Sequence, residues 1–408
     1  MRRFSFRMIL LLCIFLVVVD AFAFRGLLSI TGKAFAHNAV LRIGINVLFW
    51  TFTIALVTAI LTLKIRFDKM HPRRRQLWLS SLYGLTVSSF APKLLFAIIL
   101  TILQYANFIF PPTQSFLIIS LLGLLAGFLP FFVILYGIFR TVYRFKVYRI
   151  EIPLRNLPTA FDGLRIVQIS DMHLGSFNYR YSILEHAVNL INHLKPDYVF
   201  FTGDLVNNYA WELKGWNIIL KKIKANYGKF AVLGNHDYGD YSTWAEEGKK
   251  QENFKEIVDF FPEINFNLLR NEAIVLTRAG DKIAVIGVEN WGKPPFKQYG
   301  DLALAMKDVA SIPCKILLSH DPSHWSGEVI NQTDIALTLA GHTHGMQAGI
   351  KTRNKEWSLI QYKYKHWAGL YEEGGQFLHV NRGLGWLGFP GRLGMAPEIT
   401  LITLKKEA

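Results

Sequence analysis

The chain has 408 residues, 51% of them hydrophobic and 14% aromatic, and carries a formal net charge of +15. Its positive mean hydropathy of +0.24 argues against a wholly soluble protein. Its two cysteines, Cys13 and Cys314, lie far apart and exclude both a disulfide framework and a paired-cysteine metal site. The length allows two or three domains. The basic excess fits nucleic acid or an anionic membrane surface, and the positions of the charges decide between them.

The N-terminal residues are dominated by apolar runs. The first, about 8–24, follows Arg2, Arg3 and Arg7. More apolar runs follow it, so an uncleaved membrane helix is expected rather than a signal peptide. Further runs at about 39–63, 77–110 and 115–139 are near or above the ~20 residues that cross a bilayer core. The third contains Pro92-Lys93, which allows one kinked helix or two short ones. A transmembrane domain of about four helices over residues 1–145 follows.

Its orientation is set by the loops. Six Lys/Arg lie in "KIRFDKMHPRRRQ" and four in "RTVYRFKVYR", whereas the two opposite loops hold Arg25 and Lys33. The positive-inside rule then places both ends of the helical domain, and the C-terminal half, on the cytoplasmic side. Asp20, Arg42 and Lys93 are the only charges inside the runs. They are too few for a translocation path, which argues against a transporter.

From about residue 150 to 408 short apolar strands alternate with amphipathic helices. Strands are expected at Leu164–Ser170, Asp197–Gly203, Lys229–Gly234, Asp281–Val288, Lys315–His320 and Asp334–Gly341. Helices are expected at Tyr181–Lys195 and over "LKGWNIILKKIKAN", and two more strands at "QFLHVNRGL" and "EITLITL". This alternation predicts βαβ units and a largely parallel sheet.

Five of these strands run directly into polar residues: Asp171 and His173; Asp204; Asn235, His236 and Asp237; His320 and Asp321; His342 and His344. Sites in open α/β sheets lie beyond the carboxyl ends of strands. Each residue alone reads as a cap or turn former, but five such coincidences are implausible. Oxygen and nitrogen donors without cysteine suit Mn²⁺, Fe or Zn²⁺. Seven such donors exceed one ion with an open position and suit two divalent ions ~3.5–4 Å apart.

The order D-x-H, G-D, G-N-H-D, H, G-H-x-H resembles the calcineurin-like metallophosphoesterases. It stands here as Asp171-Met172-His173, Gly203-Asp204, Gly234-Asn235-His236-Asp237, His320 and Gly341-His342-Thr343-His344. The ending "NRGLGWLGFPGRLGMAPEITLITL" resembles a bacterial membrane-anchored branch, similar to UDP-diacylglucosamine pyrophosphate hydrolases. The resemblance implies an αββα sandwich, two mixed sheets flanked by helices. It also implies that Asp171, His173 and His344 hold one ion, that Asn235, His320 and His342 hold the other, and that Asp204 bridges them. His236 would contact the phosphoryl group or protonate the leaving group, and Asp237 would orient its ring, with a helix cap as the competing role. Met346 departs from the family's expected glycine.

A water between two cations loses proton affinity and becomes the nucleophile, so no side-chain nucleophile is required. Asn207 and Arg382 are further substrate-binding candidates; Arg392 reads as structural. Trp357–Tyr371 and Trp291–Tyr299 mix aromatic and basic residues, as either a lip at the bilayer surface or packed structure.

The expected protein is a metal-dependent phosphoric ester hydrolase of the bacterial inner membrane with its catalytic domain on the cytoplasmic face. Its substrate would be a phosphodiester, phosphomonoester or pyrophosphate, in a membrane lipid or a lipid-linked nucleotide. The rival readings are a receptor or scaffold retaining a metal site, and a membrane-associated nuclease. No nucleic-acid partner is expected, because the basic clusters flank the helices, where topology explains them.

Overall fold

A computed structural model describes residues 5–109, 116–294, 297–352 and 355–407. Phe110, Ser115 and Phe296, which fall in the expected apolar runs and aromatic stretch, lie outside the described residues. The described residues within Arg2–Arg140, with Gly388–Gly391, form one compact unit, and those within Thr141–Leu387 and Arg392–Ala408 form a second.

The first unit contains helices α1 (Phe6–Ala34), α2 (Ala39–Arg66), α3 (Pro72–Ile109) and α4 (Phe116–Phe139). Among the described residues, Phe6–Gly32, Ala39–Arg66 and Pro72–Ile102 are long and apolar enough to cross a membrane. Pro92 lies inside α3 without dividing it, so the third run is one helix. The first run extends well beyond the expected residues, from a cap where Ser5 Oγ accepts from the Met8 amide at 3.2 Å. Large apolar side chains such as Leu11, Ile43 and Ile54 face outward, as expected of helices apolar all round. Asp20 is buried and paired with Lys93 at 2.9 Å. Two of the three charges in the runs therefore neutralise one another.

The second unit is built from two sheets. In chain order its elements are β1 (Lys146–Leu154), β2 (Arg165–Ile169), α5 (Tyr181–His193), β3 (Tyr198–Phe201), α6 (Asn217–Leu220), β4 (Gly228–Ala231), α7 (Glu247–Glu263), β5 (Asn267–Leu268), β6 (Glu272–Arg278) and β7 (Asp281–Gly287). There follow α8 (Leu302–Met306), β8 (Lys315–Leu318), β9 (Leu337–Ala340), β10 (Ile350–Lys351), β11 (Glu356–Trp357), β12 (Gly369–Glu373), β13 (Gln376–Val380) and β14 (Glu398–Lys406). One six-stranded sheet has the order β1-β14-β2-β3-β4-β5 and the other β12-β13-β9-β8-β7-β6, while β10 and β11 form a small hairpin. Strands β2 to β5 and β7, β8, β9 and β13 run parallel, whereas β14 against β2, β6 against β7 and β12 against β13 are antiparallel. Both sheets are mixed, as the resemblance implied.

Burial follows from this layering. Ile166, Phe200, Val232 and Ile402 of the first sheet's strands and loops meet Val285, Ile316, Leu318 and Leu339 of the second in one apolar cluster. The other face of the first sheet is covered by Leu184, Val188 and Ile191 of α5 and Ile257 and Phe261 of α7. The second sheet's other face meets Leu302 and Ala305 of α8. Central strands are therefore buried on both faces, which is why they read as continuous apolar runs rather than alternating ones.

The stretch "LKGWNIILKKIKAN" is not a full helix: only Asn217–Leu220 is helical. The carbonyl of Ile223 accepts instead from the Lys229 ammonium at 3.0 Å, and the fully buried Trp216 anchors the turn.

Candidate functional site

The polar strand ends converge on one edge of the paired sheets. Asp171 and His173 follow β2, Asp204 follows β3, Asn235 and His236 follow β4, His320 follows β8, and His342 and His344 follow β9. Five of these residues adopt left-handed backbone: Asp171 (φ 48°), His173 (47°), Asp204 (60°), His342 (73°) and His344 (52°). Such conformations cost of order 1–3 kcal/mol each and persist where surrounding structure enforces them, as functional sites do. Glycine permits the close approach. A Cβ on Gly234 would collide with Asp204, and one on Gly341 with Ser170 and Asp171.

Two clusters result. In the first, the ligand atoms of Asp171, His173 and His344 lie within 4.8 Å of one another. His344 Nε2 is 3.2 Å from Asp171 Oδ1 and 3.1 Å from His173 Nε2. In the second, Asp204, His320 and His342 lie within the same limit. Asn235 Oδ1 joins them, 2.8 Å from His342 Nδ1 and 3.1 Å from His320 Nε2. Asp204 Oδ2 sits between the clusters, 3.2 Å from His320 Nε2 and 3.5 Å from His173 Nε2. The donor set fits divalent ions: only oxygen and nitrogen, with imidazole nitrogens, carboxylate oxygens and an amide oxygen turned towards one another. His342 and His344 thus serve different clusters, through Nδ1 and Nε2 respectively.

The imidazoles differ electrically. Burial outweighs the attraction of Asp204 and lowers His173 to about 3, so it is neutral at neutral pH. Burial would also lower His320, but the Asp204 carboxylate, reinforced by Asp171, holds it up at about 10. Without metal, His320 is therefore protonated at pH 7 and must lose that proton to offer Nε2 as a ligand. Metal loading at pH 7 is expected to release about one proton from this site. Titration calorimetry in buffers of different ionisation enthalpy measures the release, and no buffer dependence would refute it.

His236 lies beside both clusters. Its backbone N–H donates to Asp204 Oδ1 at 2.8 Å and its ring Nδ1 lies 2.7 Å from the Asn207 carbonyl. That carbonyl can only accept, so Nδ1 carries a proton and Nε2 is left for chemistry. Its ring meets His173 edge-on at 5.2 Å and leans against Tyr241 at 4.5 Å.

Two family models match the chain: calcineurin-like phosphoesterase over residues 164–346, and the transmembrane domain of probable calcineurin-like phosphoesterases over residues 3–142. The chain is 33% identical over 258 residues to the metallophosphoesterase YkuE of Bacillus subtilis, covering 61% of this chain and 82% of that one. The chain belongs to the calcineurin-like phosphoesterases. It is also 29% identical over 280 residues to a transmembrane protein with metallophosphoesterase domain of Danio rerio, and 30% identical over 268 residues to one of Bos taurus. Those matches cover 66% and 63% of this chain, and 60% and 56% of the length of the two vertebrate proteins. The chain is thus a metal-dependent phosphoester hydrolase with an N-terminal transmembrane domain.

Three expected contacts differ in the structure. Asp237 faces backbone amides rather than the His236 ring. Its carboxylate accepts from the backbone amides of Asp204 (3.0 Å), Leu205 (2.8 Å), Val206 (3.1 Å) and Gly234 (2.9 Å), tying two site loops together. Asn207 offers its backbone, not its side chain: the carbonyl holds His236, while the side-chain amide donates to Ser176 Oγ at 3.2 Å. Arg382 is neutralised by Glu398 and Glu356 and is buried, so no free charge remains to clamp a phosphate.

Arg392 is fully buried and donates to the carbonyls of Arg382 (2.9 Å) and Gly383 (3.1 Å), while its Nη2 stands 3.4 Å from His344 Nδ1. Met346 stands at φ 57°, the left-handed backbone that favours glycine, with its side chain half exposed. Tyr241 and Tyr364 were not anticipated as site residues. Tyr364 lies in the aromatic stretch, but there Tyr364 and Trp367 pack with Met395, whereas Trp357 and Tyr362 are exposed.

Proposed function

We propose that this protein is a membrane-anchored, binuclear phosphoesterase, with residues 1–145 as its transmembrane domain and 150–408 as its catalytic domain. Asp171, His173 and His344 hold one divalent ion, and Asn235, His320 and His342 the other. The observation that carries this reading is the position of the Asp204 carboxylate, within reach of ligands of both clusters. When bound, such ions polarise the phosphoryl oxygen and acidify water. The chain's own contributions are distinct. Asp204 places its charge between the clusters and fixes the His236 backbone. His236, with Nδ1 held by Asn207, presents Nε2 to move a proton to or from the reacting ester.

The substrate we favour is a phosphate ester or pyrophosphate of a membrane lipid or lipid-linked nucleotide. Support comes from the transmembrane domain and from the exposed Ile350, Trp357, Leu359 and Tyr362 beside exposed Lys355, Lys363 and Lys365. Aromatic residues favour the bilayer interface and lysines anionic headgroups. For the catalytic domain we favour the cytoplasmic face of the inner membrane, a reading supported by the basic loops. In detergent with Mn²⁺, the full chain is expected to hydrolyse a generic aryl phosphodiester, and His236→Ala to lower the rate ~10²–10⁴-fold. Equal rates for the two proteins would sink the assignment of His236.

A further inference from the structure

The two clusters differ in what stands behind their ligands. In the second cluster every neutral ligand has a fixed outer partner. His320 Nδ1 lies 2.7 Å from the Thr202 carbonyl, Asn235 Nδ2 donates to the Tyr241 hydroxyl at 2.8 Å, and His342 Nε2 lies 2.8 Å from the Tyr364 hydroxyl. In the first, the buried His173 Nδ1 has no hydrogen-bond partner among the described residues, and His344 Nδ1 meets an arginine, Arg392, at 3.4 Å rather than a phenol. Two phenols from distant parts of the chain, residues 241 and 364, therefore meet the second cluster alone.

We propose that Tyr241 and Tyr364 are positioning residues that set the affinity of the second cluster for its ion; this rests on the two-ion reading above. An asparagine amide can bind a cation only through its oxygen. By accepting from Nδ2, Tyr241 turns Oδ1 towards His320 and His342. A histidine that binds through Nδ1 must carry its proton on Nε2. Tyr364 accepts that proton's hydrogen bond and leaves the Nδ1 lone pair facing Asn235 and His320. The unpartnered Asp321 Oδ2, buried 3.8 Å from His342 Nε2, adds a carboxylate that favours the same tautomer. Tyr241 has a second contact, its ring against His236. Removal of the hydroxyl alone therefore separates the two roles.

The test is Mn²⁺ binding to the metal-stripped full chain in detergent, followed by calorimetry and by the spin coupling of paired Mn²⁺ ions. Wild type is expected to bind two ions per chain. Tyr241→Phe and Tyr364→Phe, which keep both rings, are expected to weaken the second ion ~10–100-fold while leaving the first unchanged. A merely structural role would weaken both ions together. Should Tyr364→Phe fail to fold, Tyr241→Phe carries the test. Unchanged affinity for both ions, or equal weakening of both, overturns the proposal. A wild type that binds fewer than two ions overturns the two-ion reading itself, and the proposal with it.

Discussion

Asp204→Asn is expected to lower kcat about 10³-fold, roughly 4 kcal/mol of transition-state stabilisation. The change is nearly isosteric, so the fold should persist. What is lost is the negative charge that lies within 3.2–3.5 Å of ligands from both clusters. An amide offers one oxygen where the carboxylate offers two. In the structure those two oxygens are divided: Oδ1 accepts from the His236 amide and Oδ2 faces His320 and His173. The same substitution should remove the charge that holds His320 up at about 10, and so reduce the proton release on metal loading. Steady-state rates at saturating Mn²⁺ check the first expectation. A rate within tenfold of wild type would mean that Asp204 does not link the clusters.

Asp237→Ala is expected to cost about 4 kcal/mol of stability, because four buried amides lose their acceptor at once. For a domain of this size that corresponds to a fall in Tm of about 10 °C. Melting of the full chain in detergent measures it. The alternative role, orientation of the His236 ring, predicts the opposite pattern: an unchanged melting temperature with a lowered kcat. That result would contradict the loop-clamp account. Asp237 is fully buried, so solvent cannot replace the lost contacts.

Much of the site was legible in the sequence because strand chemistry is one-dimensional. A buried strand demands apolar residues on both faces. Where β2, β3, β4, β8 and β9 stop, the polar residues that follow are forced to one edge. Asp171, Asp204 and His320 could be placed there without knowing the sheet order. What the sequence hid depends on direction rather than position. His236 and Asp237 are neighbours in sequence, yet successive residues in a turn point apart, one to the clusters and the other to the loop amides. Arg382 gave no sign that Glu356 and Glu398 would neutralise it, since neither partner is local. Strand β1 was equally hidden. It lies in the basic stretch that reads as a membrane flank and pairs with β14 at the far end of the chain. Helix α7 is rich in charge and carries its apolar side as Ile257, Phe260 and Phe261, too sparse a signal beside stronger ones. Tyr364 was visible as an aromatic residue, but its partner was not.

The most direct test of the account is to strip the full chain of metal, reload it with Mn²⁺ in measured steps, and record bound ions and phosphodiester hydrolysis together. The account predicts no activity in the stripped protein and full activity only as the second ion per chain is bound. Full activity with one ion, or in the stripped protein, would contradict it.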